Sequence, residues 1–236
     1  MGFSIGPVLI IGFVFMGIGM LVSSALKNKF RKYSEIPSHN GLTGREIAEK
    51  MLLDHGIHDV RVVCTKGELS DHYNPVNKTV NLSEAVYNGA NAAASAVAAH
   101  ECGHAVQHAK AYGPLNFRSK MVPLQNISGT VINMVMMVSF IGGSVLFESF
   151  PINLVAIVIL SAYGIMALFS LVTLPVEFDA SKRALLWIQS QGNVTQVEYD
   201  RSKDALKWAA MTYVVAAIGA LVTLIYLLMS FAGGDD

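Results

Sequence analysis

Apolar residues fill four long stretches of the chain, at residues 3–26, 121–147, 152–174 and 209–231. Each is long enough to cross a bilayer as a helix, which takes about 20 residues. Between them the pattern switches to short amphipathic segments. In "TGREIAEKMLLDHG", Thr43 is placed as an N-cap, Ile47, Met51 and Leu52 share an inner face, and Gly56 ends the helix. "DVRVVCT" alternates as a short strand, and "NPVNKTVNLS" reads as a second one with Val76, Val80 and Leu82 on one side. Residues 89–110 follow as a helix of small residues stopped at Tyr112, Gly113 and Pro114. Residues 175–208 are expected to be helical, with Pro175 ending the third apolar helix or opening the next. The pattern predicts a mainly α integral membrane protein with four transmembrane helices, whose residues 27–120 carry a small cytoplasmic α+β unit.

Charge supplies the orientation. All 17 Lys and Arg residues lie between Lys27 and Lys120 or between Lys182 and Lys207. They crowd the ends of the apolar stretches, as Lys27, Lys29, Arg31 and Lys32 do after the first and Arg118 and Lys120 do before the second. Basic flanks stay on the cytoplasmic side. Residues 27–120 and 175–208 are therefore expected inside, with both termini and the turn around "FESFP" outside. No Lys or Arg precedes the first stretch, and it exceeds the roughly 7–15 residues of a signal-peptide core, so it reads as an uncleaved anchor. The composition, 53% hydrophobic and 14% charged, is too apolar for a soluble domain, where about a quarter of residues are charged. A formal net charge of zero gives nucleic-acid binding no electrostatic support. Cys64 and Cys102 form no CxxC pair, which favours reduced thiols over a disulfide framework.

The candidate chemistry lies in "AAHECGHAVQHAK", where His100, His104 and His108 recur every four residues. His100-Glu101-Cys102-Gly103-His104 fits H-E-x-x-H on a helix: the two imidazoles share a face, and Glu101, about 100° further round, can reach a water between them. Two histidines do not complete a catalytic zinc site, which takes three protein ligands and leaves a fourth position open. On a straight helix His108 stands about 12 Å along the axis from His100, too far to share one ion. Glu177, in "TLPVEFDASKRALLW", is the stronger candidate for the third ligand. Spacing alone leaves open that Glu177 and Asp179 are acids at a helix start facing water.

"AAHECGHAVQH", "PVEFDASKRAL" and the upstream "LSDHYNPVNKTVNLSEAVY" resemble the YugP-type neutral zinc metallopeptidases of bacterial membranes, in matching order and spacing over nearly the whole chain. The resemblance implies a zincin-like unit holding one Zn2+ per chain. It implies His100, His104 and Glu177 as ligands and Glu101 as the catalytic acid/base, with polypeptide substrates and residence in the bacterial inner membrane. More distantly, "VEFDAS" resembles the glutamate-ligand segment of HtpX and the CAAX prenyl proteases. Their following acid falls at the position of Ser181, whereas this chain has Asp179 two residues earlier, so Asp179 is the expected substitute partner for a ligand.

The expected activity is hydrolysis of peptide bonds at neutral pH, with Glu101 moving the proton from water to the leaving amine. His72, Tyr73, His108 and Arg183 are candidates for stabilising the oxyanion. "NPVNKTVNLS" is expected as an edge strand beside the zinc helix, able to pair with an extended substrate. Glu177 follows the third apolar stretch by three residues, roughly 5–10 Å past the hydrocarbon, which favours membrane-associated or misfolded substrates. A different class, a catalytically silent zinc-containing scaffold or chaperone-like peptide binder, would have no use for Glu101.

Overall fold

The computed structural model describes residues 6–148, 152–192 and 194–232. The expected turn around "FESFP" and both chain ends fall partly or wholly outside these residues. In chain order the elements are α1 (Gly6–Ser34), α2 (Gly44–Asp54), β1 (Arg61–Thr65), β2 (His72–Asn74), β3 (Thr79–Ser83), α3 (Glu84–Tyr87), α4 (Ala92–Ala109), α5 (Gly113–Glu148), α6 (Ile152–Ser190) and α7 (Gln196–Ala232). They group into two compact units. One comprises the described residues within 1–21, 117–174 and 213–236, and the other those within 22–116 and 175–212.

The first unit is built from the apolar parts of α1, α5, α6 and α7, four helices long and apolar enough to cross a membrane. Its inner contacts centre on Val8, Ile159 and Leu227. Its outer faces expose Phe13, Met20, Ile127, Met134, Ile157 and Met229. So much exposed apolar surface suits lipid rather than water.

The second unit has the opposite pattern, with a dry core of Met51, Val80, Leu82, Val86, Val106 and the alanines of α4. Thr43 caps α2 reciprocally with Glu46, and Gly56 leaves the helix at φ +70°. Asn91 caps α4 by accepting from Ala94 N at 2.9 Å. The sheet order is β1-β3-β2, with β3 parallel to β1 and antiparallel to β2.

Two expectations change here. "NPVNKTVNLS" is not an edge strand: β3 lies between two partners, and the edges are β1 and β2. Asn74 Oδ1 accepts from Val76 N at 2.9 Å and Asn77 N at 3.1 Å, and Lys78 turns at φ 50°, so the Asn-Pro segment closes a hairpin. Val76 is accordingly 88% exposed rather than aligned with Val80. Pro175 also neither ends nor starts a helix, because α6 runs through it. One missing N–H removes a single hydrogen bond from a 39-residue helix, which the remaining ladder absorbs.

These placements make a contrast measurable by thermal unfolding of the purified protein. Leu82→Ala empties a fully buried site and is expected to cost about 2–5 kcal/mol, whereas Val76→Ala should change stability by less than about 0.5 kcal/mol. Equal losses at both positions would return Val76 to a packed strand.

Candidate metal centre

His100 and His104 project from successive turns of α4, their ring centroids 4.8 Å apart and nearly perpendicular. The helix forms because its first half is mostly alanine, the best helix former, and because small side chains let it pack closely against α2. Opposite the two rings stands Glu177 of α6, only 2% exposed. Its Oε2 lies 3.3 Å from His100 Nε2 and 3.6 Å from His104 Nε2. One donor atom from each of the three falls within 4.8 Å of the others. Glu177 is thus neither at a helix start nor facing water.

Gly103 sets the closeness of the two helices. A Cβ there would lie 2.6 Å from the Ala180 carbonyl oxygen, so α4 and α6 touch backbone to backbone between the two histidines. On the other side of α4, Cys102 Sγ points to Ala48 O of α2 at 3.5 Å.

The ring tautomers follow from the surrounding hydrogen bonds. Gln107, fully buried, donates through Nε2 to Val176 O and to Asp179 Oδ2, both at 2.8 Å. Both amide hydrogens are thereby used, so Oε1 must be the atom 3.0 Å from His104 Nδ1. His104 therefore carries its proton on Nδ1 and directs the Nε2 lone pair toward Glu177. His100 Nδ1 lies 3.1 Å from Ser181 Oγ, which can accept its proton and leave Nε2 equally available. Asp179 completes the chain by accepting from Arg183 Nε at 2.6 Å.

Two imidazole lone pairs and a carboxylate converging in a buried space form an electron-rich donor set that calls for a cation. The titration directions agree. Burial opposes charge on both groups, yet the hydrogen bond that a protonated Nε2 of His104 makes to Glu177, with the charges of Glu101 and Glu177, raises His104, and the two imidazoles hold Glu177 well below the usual carboxylate range, so a proton meets the same preference for positive charge. Imidazole nitrogen and carboxylate oxygen are ordinary zinc ligands, so the residues fit the metal.

The other predicted residues divide. Asp179 reaches His104 only through Gln107, and Arg183 is engaged by Asp179. His108 stands outside the donor cluster, and its Nδ1 shares a 2.7 Å hydrogen bond with the Tyr73 hydroxyl. Burial, with the nearby Asp59 charge, pushes the Tyr73 phenol up to about 12, so it stays protonated at neutral pH. His72, the first residue of β2, donates through Nδ1 to Ser70 O of the preceding loop at 2.8 Å. Sequence reasoning missed Gln107 and Ser181. Helical spacing could have found both, since one stands three residues past His104 and the other four past Glu177.

Four helices long and apolar enough to cross a membrane and a buried two-histidine, one-glutamate cluster that could hold a metal ion mark the class of protein. The chain belongs to the protein family described as "Putative neutral zinc metallopeptidase", which matches residues 8–232. It is 38% identical over 221 residues to the "Putative membrane protease YugP" of Bacillus subtilis (strain 168), covering 94% of this chain and 95% of that one. No solved structure matches it.

Removing a group that orients a metal ligand typically weakens metal binding by about 10–100-fold. Gln107→Ala is expected to lower zinc affinity by that factor in competition with a chromogenic chelator, and Gly103→Ala, which forces the helices apart, should lower it further. Wild-type affinity in both variants would contradict this geometry.

Proposed function

We propose that this chain is a zinc metalloendopeptidase that hydrolyses peptide bonds of membrane-associated or misfolded proteins at the cytoplasmic face of the bacterial plasma membrane. The observation that carries the reading is the convergence of Glu177 of α6 on the Nε2 atoms of His100 and His104, which stand on the helix that bears Glu101. Zinc held by these three residues, one ion per chain, would supply Lewis acidity, bringing the pKa of water toward 7 and polarising the scissile carbonyl.

The protein's own part begins with Glu101. It is 8% exposed, and it has no hydrogen bond or ion pair among the described residues. Its charge reaches His104, which supports its placement beside the metal. An unengaged carboxylate there can take a proton from the attacking water and deliver it to the leaving amine. A binding scaffold would leave that buried carboxylate without a task.

Substrate alignment falls to β2, whose outer edge is free to pair with an extended peptide. The Tyr73–His108 hydrogen bond ties this strand to the zinc helix, which fixes the register of a paired substrate against the metal. Glu177 follows residue 174 of the third apolar stretch by three residues, and the basic residues flank the apolar stretches on one side. Both features support a site facing the cytoplasm close to the bilayer, with both termini outside.

Glu101→Gln is expected to keep one zinc per chain while peptide cleavage falls by about 10²–10⁴-fold, and Glu177→Ala should lose the zinc itself. Full zinc retention by Glu177→Ala would overturn the ligand assignment. For orientation, Ser149→Cys should react with a membrane-impermeant maleimide in intact cells, and exposed Cys64 only after permeabilisation. The reverse pattern would invert the topology.

A further inference from the structure

An open cleft, separate from the metal centre, lies between α1 and the loop that joins β1 to β2, with a volume of about 480 Å³ and with Lys27, Arg31 and Glu68 exposed along it. Pockets that hold small ligands span roughly 300–1,000 Å³. One wall is the face of α1 bearing Lys27, Asn28 and Arg31, and the opposite wall is Glu68 and Leu69. Lys27 and Arg31 are one helical turn apart and lie on the same side. Arg31 Nη2 donates to Asn28 Oδ1 at 3.2 Å. Among the described residues neither cation forms an ion pair, and neither does Glu68. The cavity therefore holds opposite charges on facing walls without letting them meet.

The facing loop is shaped to hold that arrangement. Gly67 takes φ +102°, Leu69 sits in the left-handed region at φ 53°, which a branched side chain rarely adopts, and Ser70 Oγ donates to Gly67 O at 2.9 Å. Leu69 is presented at the cavity, where α1 contributes Phe30. Lys27 is also the first residue after the apolar stretch of α1. A cavity beginning there lies at headgroup depth if that stretch spans the bilayer.

We propose that this cavity is a binding site for the headgroup of an aminophospholipid, phosphatidylethanolamine. Lys27 and Arg31 hold its phosphate, Glu68 accepts from its primary ammonium, and Phe30 and Leu69 meet the glycerol and upper acyl chain. A ligand bearing both signs at fixed separation satisfies both walls at once. Phosphatidylglycerol offers Glu68 no cation, and the trimethylammonium of phosphatidylcholine offers it no N–H donor.

The test is native mass spectrometry of the delipidated full-length protein titrated with phosphatidylethanolamine, phosphatidylglycerol or phosphatidylcholine. Zinc content serves as a check on folding that does not depend on peptidase activity. One phosphatidylethanolamine per chain is expected, retained in preference to the other two lipids. Removing a basic residue at a membrane surface costs about 1 kcal/mol, or about fivefold in binding, so Lys27→Gln and Arg31→Gln should each weaken retention by that factor. Glu68→Gln should abolish the preference for phosphatidylethanolamine over phosphatidylglycerol. Lys50→Gln, which removes the same single charge from α2, should change nothing. The proposal is overturned if Lys27→Gln and Arg31→Gln retain lipid as the wild type does, or if wild type and Glu68→Gln bind the three lipids indifferently.

Discussion

The backbone contact between Gly103 and Ala180 is the constraint on which the metal centre depends. With a hydrogen in place of a side chain at position 103, α4 and α6 approach until a Cβ would overlap the Ala180 carbonyl. Only at that separation does a glutamate three residues before Ala180 reach both rings on α4. The glycine inside H-E-x-x-H thus joins two parts of the chain that are distant in sequence. The alanines of α4 do the same on the other side, where α2 packs against them.

From that contact a hydrogen-bond chain follows. Arg183 anchors Asp179, Asp179 and the Val176 carbonyl fix the amide of Gln107, and Gln107 fixes the tautomer of His104. Each link spans α4 and α6 or lies one turn along one of them, so the helix crossing that brings Glu177 to the two histidines also selects which ring nitrogen of His104 faces it. Ser181 does the corresponding work at His100. The carboxylate on this side is Asp179, and a buried glutamine carries its influence to His104.

Much of this was legible in the chain. The four apolar stretches, the capping box at Thr43 and the two histidines are local patterns, and local patterns survive folding. Glu177 could be named as a candidate from the chain but not chosen over an acid facing water, because nothing in its spacing from His104 encodes a contact across 73 residues. The strand order was not legible: β2 is three residues long, too short to show alternation, and without it β3 looked like an edge. Pro175 misled because a proline is a strong helix breaker in a short helix and a weak one inside a long one. Gln107 gains its role only once α6 supplies its two acceptors.

The central claim is that two imidazoles and one carboxylate, delivered by two helices, hold a single zinc ion. X-ray absorption at the zinc edge of the purified full-length protein tests it directly. The account predicts one zinc per chain with two imidazole nitrogens and oxygen ligands at about 2.0–2.2 Å. A third imidazole in the first shell, which would bring in His108, or a sulfur at about 2.3 Å, which would bring in a cysteine, would contradict it.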